Sequence, residues 1–413
     1  MTPAAPPTRD EAVALDESGP LRGRRELFDL PDGVVYLDGN SLGALPRSVP
    51  ERLQQVARQE WGTGLISSWN TADWVGLTSR VAARIAPLIG ADGADVHVGD
   101  STSVTLFKTF VAAARLRPGR RVVVLEPTTF PTDAYVAAGV ASAFDLELRW
   151  CDPADPAASL DEDVAVLALT HVDFRTGAML DLAGLSRAAH EVGALAHWDL
   201  CHSTGAVPVD LAAADADVAV GCTYKYLNGG PGSPAFSWVH PRHQADWEQP
   251  ITGWFGHASP FAMQRDFAPA PGVARMASGT PQVLALSALD AALEAFDGVD
   301  LAELRAASLS LTDHFIALVD ARLGSVFELV TPRRHEVRGS QVSLRHPSAY
   351  GVVQALIERG VVGDFRTPDL ARFGFAPLYV THADVHDAVD HLVAVVEGEE
   401  HLRPQYAVRN AVT

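Results

Sequence analysis

The sequence predicts an α/β protein, with a large domain built on a mostly parallel sheet and a smaller α+β domain after it. Strand-like apolar runs alternate with helical patterns between residues 96 and 225, as in a parallel sheet covered by helices. Polar residues follow several of these runs directly, at the sheet edge where open α/β sheets place their ligands. From residue 286 onward, long amphipathic helices and short strands indicate the second domain.

We therefore divide the chain into three parts: an N-terminal segment (1–45) packing with the small domain, a large domain (46–285) and a small domain (286–413). Short apolar runs bounded by turn residues predict strands at 34–37, 96–98, 121–126, 164–169, 194–200, 218–224, 327–330 and 341–344. Apolar residues recurring every three or four positions predict helices at 49–61, 74–89, 104–115, 185–191, 283–296, 301–323, 352–359 and 385–396. Ser48 and Glu51 form a capping-box pattern before the first helix. Residues 1–25 are expected to be loosely ordered, 234–282 to be rich in loops, and 397–413 to form a polar tail.

Composition excludes several classes of function. The 413 residues carry a formal net charge of −19, which argues against binding to nucleic acid or to an anionic membrane surface. The three cysteines form no CxxC pair, which favours a reducing compartment without disulfides. The N-terminus lacks a signal-peptide pattern, and no apolar run approaches the roughly 20 residues of a membrane span. A cytoplasmic location is expected.

Two apolar runs end in residues of opposite charge. Asp199 closes the run at 194–200, and Lys225 follows the run at 218–224. A lysine amine can form a Schiff base with the aldehyde of pyridoxal 5′-phosphate (PLP), and a carboxylate can keep the pyridine nitrogen of PLP protonated. The alternative is that the lysine is a solvated strand end and the aspartate a turn residue.

A hydroxyl-rich turn, which includes Thr102 and Ser103, joins a short strand to a helix. Helix N–H groups and the helix dipole favour a phosphate at such a turn, although serine and threonine are also ordinary helix caps. Phe130 follows the next strand, where an aromatic ring could stack on a planar cofactor.

Other residues permit further sites. In the predicted small domain, Arg345, Arg366 or Arg372 could bind a carboxylate through two hydrogen bonds, although most arginines are surface charges. His197, Asp199 and His202 could hold a metal ion, because residues 197 and 199 share one face of a strand. No HExxH or similar motif supports that reading, and we expect no metal.

Six segments in chain order resemble the kynureninase family, and the resemblance spans about residues 25–395. They are YLDGNSLG at 36–43, FPTD at 130–133, DLCH at 199–202, YKYLNGGPG at 224–232, GWFGH at 253–257 and RFGFAPLY at 372–379. The resemblance implies a PLP-dependent transferase of fold type I, the aspartate aminotransferase fold. It also implies hydrolysis of the Cβ–Cγ bond of L-kynurenine to anthranilate and L-alanine, in tryptophan catabolism on the kynurenine pathway toward NAD biosynthesis. A homodimer with shared active sites is expected.

The resemblance also implies roles for individual residues. Lys225 would hold PLP as a Schiff base, Asp199 would bind the pyridine nitrogen, and Arg372 would bind the substrate α-carboxylate. Tyr224 would either relay a proton or only bind the phosphate. The remaining cofactor contacts implied are Thr102, Ser103, Phe130, Pro131, Thr132, Asp133, Thr170, His202, and Trp254 and Thr280 from a second subunit. Asn40, Trp69 and Thr280 are expected to contact the substrate.

The sequence departs from some relatives of the family. Gly279 and Thr280 stand where a bulkier polar pair occurs in animal relatives, and the loop at 62–68 lacks the histidine of those relatives. Both departures favour kynurenine over 3-hydroxykynurenine. Arg175 stands where an aromatic residue is often found, and nothing in the sequence explains it.

Three alternative hypotheses stay open beside the kynureninase hypothesis. The first is another fold-type-I enzyme, such as a cysteine desulfurase or an aminotransferase. A desulfurase needs a reactive cysteine on a flexible loop, and none of the three cysteines lies on one. The second is a metallohydrolase. The third is a catalytically silent binding protein, against which the pairing of Lys225 with Asp199 argues.

Overall fold

A computed structural model describes residues 7–409 of the chain. The strands are β1 (Phe28–Asp29), β2 (Val35–Tyr36), β3 (Leu45–Pro46), β4 (Val96–Val98), β5 (Val122–Leu125), β6 (Glu147–Trp150), β7 (Val164–Thr170), β8 (Leu195–Asp199), β9 (Val218–Gly221), β10 (Phe236–Val239), β11 (Glu328–Leu329), β12 (Gln341–Arg345), β13 (Val361–Val362), β14 (Asp364–Arg366) and β15 (Leu370–Gly374). The α-helices are α1 (Arg9–Ser18), α2 (Ser48–Gln55), α3 (Ser68–Thr71), α4 (Leu77–Ile85), α5 (Thr102–Arg115), α6 (Pro131–Phe144), α7 (Leu182–Glu191), α8 (Pro241–Gln244), α9 (Val283–Ala292), α10 (Leu301–Leu323), α11 (Ala349–Glu358) and α12 (His382–Glu397).

A seven-stranded sheet forms the centre of the fold, in the order β4-β10-β9-β8-β7-β5-β6. Strands β9, β8, β7, β5 and β6 run parallel, and β10 is antiparallel to both of its neighbours. Strands β5, β7, β8 and β9 are buried along their whole length because helices cover both faces of the sheet. Leu106 and Phe110 of α5 pack on one face, and Leu77 of α4 and Leu182 of α7 belong to the core on the other. The predicted α/β class is confirmed.

A second sheet has four antiparallel strands in the order β11-β12-β15-β14. Its register places Gln341 opposite Gly374 and Ser343 opposite Arg372. The N-terminal segment reaches this region, because β2 pairs in parallel with β13 and Arg9 of α1 forms an ion pair with Asp387 of α12. The division into residues 1–45, 46–285 and 286–413 stays a prediction.

The N-terminal part differs from the prediction in two ways. Residues 9–18 were expected to be loosely ordered, but they form α1, which begins with a complete capping box between Thr8 and Glu11. The capping box predicted between Ser48 and Glu51 is wrong. Arg47 is the N-cap residue, while the Ser48 hydroxyl donates to the Ala291 carbonyl oxygen at 3.0 Å. The Ser48 hydroxyl therefore forms a tertiary hydrogen bond instead of the helix cap that the local sequence pattern predicts.

Several other element bounds also differ. The helix predicted at 49–61 is α-helical only over α2 and continues as a π-helix (Val56–Gly64) with wider turns. The helix predicted from residue 74 begins at Leu77. The strand predicted at 218–224 ends at Gly221, so Tyr224 and Lys225 lie in the turn beyond it. The region 234–282 contains β10, and α6 was not predicted because its alanine-rich sequence shows little contrast between faces. Among the helices of residues 7–409, none has both the length and the apolar composition of a membrane span.

Candidate active site

A cavity of about 160 Å³ lies beyond the carboxyl ends of β7 and β8, beside the turn that follows β9. Its lining residues are Ser101, Thr102, Ser103, Phe130, Thr132, Asp133, Thr170, Phe174, Asp199, Cys201, His202, Tyr224 and Lys225. Most of the residues predicted to bind a cofactor thus surround one space. They converge because neighbouring parallel strands end at the same edge of the sheet.

Lys225 supplies an amine to this cavity. Its Nζ atom lies 2.9 Å from Nε2 of His202 and 5.8 Å from the ring centroids of Phe130 and Tyr224. Burial, followed by the charge of Lys225, holds the pKa of His202 well below its usual range, so the imidazole is neutral. A neutral imidazole can accept a hydrogen bond from the lysine amine.

Two carboxyl groups lie together in the cavity. Asp199 ends β8 and accepts a hydrogen bond from the backbone N–H of Cys201 at 2.6 Å. Asp133 lies in the first turn of α6 and accepts from the Thr129 hydroxyl at 3.3 Å. Burial and the nearby carboxylate of Asp199 raise the pKa of Asp133 well above its usual range. Asp133 therefore keeps its proton beside Asp199.

The N-terminus of α5 forms another wall of the cavity. Ser101 is the N-cap residue, and its hydroxyl oxygen accepts from the backbone N–H of Val104 at 3.4 Å. Capping is thus the task of Ser101, and Thr102 and Ser103 follow it in the first turn with their side chains at the cavity. The first N–H groups of the helix and its dipole favour an anion at this position.

The three candidate arginines lie in different surroundings. Arg372 is only 1% exposed, and its guanidinium donates to the Phe174 carbonyl oxygen at 2.6 Å and to the Ser41 hydroxyl at 2.7 Å. It also forms an ion pair with Asp364, which Arg366 contacts at 2.6 Å. The third candidate, Arg345, lies at the surface with Glu328 and Asp369. The structure therefore leaves Arg372 and Arg366 as neighbours of the site and sets Arg345 apart.

Besides Arg372, five predicted site residues lie outside the lining of the cavity: Asn40, Trp69, Pro131, Trp254 and Thr280. Asn40 is buried behind it, and its amide nitrogen donates to Oε1 of Gln341 at 3.3 Å. Trp69 packs against Phe255, with 6.0 Å between ring centroids. The indole N–H of Trp254 donates to a backbone carbonyl at 2.5 Å, and Thr280 lines a separate, larger groove of about 1,100 Å³. Trp69, Trp254 and Thr280 thus do not join the Lys225 cavity within one chain. Pro131 opens α6 next to Phe130 and is exposed.

Four residues of the site were not among those predicted: Ser101, Phe174, Cys201 and Gln341. Gln341 of β12 contacts His202 at 3.2 Å, and Phe174 and Cys201 line the cavity. Phe174 also faces the Phe130 ring, with 5.2 Å between centroids. A polar residue opening a strand was a visible signal for Gln341. Nothing local pointed to Phe174 or Cys201.

The cysteines and the suggested metal ligands do not support the corresponding alternatives. All three cysteines are buried, so none is presented on a mobile loop as a desulfurase requires. The ring of His197 lies 2.8 Å from the Thr109 hydroxyl of α5, and His197 is not among the residues that line the cavity with Asp199 and His202. Within residues 7–409, only His386, Asp387 and Asp390 are spaced as metal ligands, and Arg9 and Arg322 already pair with the two carboxylates.

The cavity offers partners for three functional groups of PLP: the aldehyde, the pyridine nitrogen and the phosphate. An amine suits the aldehyde, a carboxylate suits the pyridine nitrogen, and a helix N-terminus with hydroxyls suits the phosphate. The chain contains only two lysines, and the other, Lys108, is buried in an ion pair with Asp100. Lys225 is therefore the one lysine amine placed to bind an aldehyde.

Comparisons with known proteins identify the family that this chain resembles. A family model described as the kynureninase C-terminal domain matches residues 304–392. A kynureninase of Burkholderia pseudomallei is 53% identical over 98% of this chain and 100% of its own length. A kynureninase of Deinococcus radiodurans is 54% identical over 93% of this chain and 95% of its own length.

Solved structures resemble the fold at low sequence identity. A cysteine desulfurase from Thermococcus onnurineus superposes with a TM-score of 0.77 at 16% identity, covering 91% of this chain and 97% of its own. A C-DES variant with glycine covalently linked to its PLP cofactor gives a TM-score of 0.76 at 16% identity, covering 94% and 99%. These likenesses support the fold alone.

Proposed function

Since this chain belongs to the kynureninase family, we propose that it hydrolyses L-kynurenine to anthranilate and L-alanine by cleaving the Cβ–Cγ bond. The observation that carries the proposal is the position of Lys225 in a buried cavity beside His202, with Asp199 at the end of the neighbouring strand. The cofactor is PLP, which when bound draws the electrons of a substrate carbanion into its ring. The roles below are those of the chain's own residues.

Lys225 holds the cofactor aldehyde and, once displaced by the substrate amine, takes the proton from Cα. This step requires the neutral form of the amine. The neutral imidazole of His202 lies 2.9 Å from Nζ and gives the amine a hydrogen-bond acceptor.

Asp199 would hold the proton on the pyridine nitrogen. The neighbouring Asp133 keeps its own proton, so it can donate to Asp199 without adding a second negative charge. Thr170 belongs to the same group of hydrogen bonds, because its hydroxyl lies 2.9 Å from that of Thr129. Phe130, with Thr132, bounds the ring from the side of the α6 turn.

Thr102 and Ser103 bind the phosphate together with the first N–H groups of α5. Tyr224 lines the same cavity, and burial and the nearby Cys222 raise its pKa well above the usual range. Its phenol therefore keeps its proton at neutral pH. It can donate to a phosphate oxygen, or deliver a proton to the substrate after water has added to the γ-carbonyl.

Arg372 binds the substrate α-carboxylate. Asp364, Ser41 and the Phe174 carbonyl fix the direction of its guanidinium, and its Nε atom has no hydrogen-bond partner in residues 7–409. Asn40 of the N-terminal segment donates to Gln341, which lies on the strand that pairs with that of Arg372.

A second copy of the chain completes the site in our proposal. Trp254 and Thr280 lie away from Lys225 in one chain, and the nearby surface is apolar, with Trp254 44% and Phe261 61% exposed. In a homodimer, Trp254 would reach the phosphate and Thr280 the substrate of the opposite subunit, with Trp69 near the same pocket. We place the enzyme in the cytoplasm, in tryptophan catabolism toward NAD biosynthesis, with 3-hydroxykynurenine as the weaker substrate.

The proposal is tested by following anthranilate fluorescence after L-kynurenine is mixed with PLP-loaded protein, with 3-hydroxykynurenine in parallel. Borohydride reduction before digestion should attach the cofactor to one peptide, which contains Lys225, while the Lys108 peptide stays unmodified as an internal control. Lys225→Ala should abolish both the attachment and the product. Wild-type turnover by Lys225→Ala would contradict the proposal.

A further inference from the structure

We propose that Gln341 is a positioning residue that fixes the tautomer of His202 and, through it, the hydrogen bond offered to the Lys225 amine. The inference deepens the proposed function and rests on it for the role of Lys225. Gln341 opens β12 and is 1% exposed, so its amide must find all of its partners within the protein.

The orientation of the Gln341 amide follows from its partners. Its Nε2 atom donates to the backbone carbonyl oxygens of Phe174 at 3.0 Å and of Asp173 at 3.4 Å. Carbonyl oxygens only accept hydrogen bonds, so the nitrogen of the amide must face them. Oε1 is therefore left to face Nδ1 of His202 at 3.2 Å and the amide nitrogen of Asn40 at 3.3 Å.

The tautomer of His202 follows in turn. An amide oxygen can only accept, so Nδ1 of His202 must carry the hydrogen that it donates to Gln341. In a neutral imidazole the other nitrogen, Nε2, is then a bare acceptor, and it lies 2.9 Å from Nζ of Lys225. In the other tautomer the hydrogen would be on Nε2 and would point at the lysine amine. Nδ1 of His202 and Oε1 of Gln341 would then be two acceptors facing each other with no hydrogen between them.

Burial, and after it the positive charges nearby, lower the pKa of His202 and keep the ring neutral, as this arrangement requires. Lys225 faces it from the turn after β9, Arg372 from β15 and Arg366 from β14. Asp364 pairs with both arginines, and Asp199 lines the same cavity, but neither carboxylate accepts a hydrogen bond from the ring of His202 in residues 7–409. Gln341 is neutral, so it orients the ring without drawing a proton onto it.

Gln341 also joins parts of the chain that are far apart in sequence. Its strand pairs with β15, where Ser343 lies opposite Arg372. Asn40 approaches from the N-terminal segment, and Phe174 and His202 belong to loops of the large sheet. The residue therefore connects the strand that carries the carboxylate-binding arginine to the lysine of the cavity.

The test compares Gln341→Glu and Gln341→Met with Gln354→Met. Gln354 is a glutamine of α11 whose amide nitrogen is buried without a hydrogen-bond partner in the described residues. The first readout is the pH titration of the absorbance of the lysine-bound cofactor, recorded without substrate. The second is the separation of kcat from KM with L-kynurenine, and thermal unfolding reports whether each variant is folded.

In Gln341→Glu, a carboxylate beside Nδ1 should favour the protonated ring and place a positive charge next to Nζ. The titration midpoint should fall by about one pH unit, because the protonated lysine nitrogen loses its acceptor. Gln341→Met should shift the midpoint in the same direction. In both variants kcat should fall about tenfold, with less than about a twofold change in KM.

Gln354→Met should leave both readouts at the wild-type values. Folded Gln341→Glu and Gln341→Met proteins with an unshifted titration midpoint would overturn the inference. The titration needs no substrate, so failure to cleave kynurenine would count against the proposed function without deciding the role of Gln341.

Discussion

Arg372→Ala should raise KM for L-kynurenine strongly, while the protein stays folded with a moderate loss in its free energy of unfolding. A guanidinium bound to a carboxylate through two charge-assisted hydrogen bonds, each worth about 1.5–3 kcal/mol, contributes at least about 3 kcal/mol of binding. Its loss corresponds to an increase in KM of about a hundredfold or more.

The stability cost is limited by what the substitution leaves behind. Removing one partner of a buried ion pair usually costs about 3–5 kcal/mol. Here Asp364 keeps Arg366 at 2.6 Å, and the main losses are the donors to the Phe174 carbonyl and the Ser41 hydroxyl. We therefore expect a loss of about 1–3 kcal/mol in the free energy of unfolding.

The assay is anthranilate fluorescence across a kynurenine concentration series, with thermal unfolding in parallel. Arg345→Ala is the matched control, because its side chain is 42% exposed and pairs at the surface with Glu328. It should leave KM unchanged and alter stability by less than about 1 kcal/mol. Equal KM values for Arg372→Ala, Arg345→Ala and the wild type would refute the reasoning.

Three further substitutions test other parts of the structure. Burial raises the pKa of Glu126 to about 7, so the folded chain holds a proton that the unfolded chain releases, and stability falls as pH rises from about 4.5 to 7. Glu126→Gln should remove that fall and raise Tm at pH 8 but not at pH 4; an unchanged Tm at pH 8 would argue against the shifted carboxyl. Burial raises the pKa of Asp217, but hydrogen bonds from His243, Arg242 and others outweigh it and hold the pKa far below its usual range. Asp217→Asn should therefore lower the free energy of unfolding by about 3 kcal/mol at pH 7. The difference in stability between wild type and variant should become smaller as pH falls below about 4, because the wild-type carboxylate is then protonated. A difference that does not change with pH would contradict this prediction. Trp254→Phe should weaken PLP binding to the apoprotein about tenfold, measured by fluorescence on reconstitution, and an unchanged Kd would remove Trp254 from the phosphate site.

Much of the cavity could be predicted because its residues follow strand ends. Asp199 and Lys225 lie at or just after neighbouring parallel strands, and the end of a strand is visible as the end of an apolar run. The hydroxyls of Thr102 and Ser103 were visible in the same way, at the start of a helix. Their shared location at one sheet edge follows from topology.

Other parts of the site depend on contacts between distant segments. Gln341 reaches His202 across 139 positions of sequence, and no local pattern records that contact. By residue type alone Arg345 and Arg372 were equivalent candidates, and only the resemblance at RFGFAPLY singled out Arg372. In the structure Arg372 lies opposite Ser343 in the buried part of the sheet, whereas Arg345 ends β12 at the surface. The contribution that we propose for Trp254 from a second copy cannot be seen in the structure of one chain.

The predicted bounds of helices and strands are wrong where tertiary contacts override the local preference of the sequence. Ser48 suits an N-cap, yet its hydroxyl binds Ala291 of α9. The continuation of α2 as a π-helix has the same apolar spacing as an α-helix over a short stretch, so periodicity does not separate the two. In contrast, α10 extends over Leu301–Leu323 as predicted, because a long periodic pattern outweighs local exceptions.

Hydrolysis is tested most directly by running the reaction of PLP-loaded protein with L-kynurenine in ¹⁸O-labelled water and analysing the products by mass spectrometry. Anthranilate and L-alanine should appear in equal amounts, and the anthranilate carboxylate should carry one oxygen from the solvent, because water adds to the γ-carbonyl. Unlabelled anthranilate, or a keto acid formed without cleavage of the Cβ–Cγ bond, would contradict the account and point instead to a different reaction at Lys225.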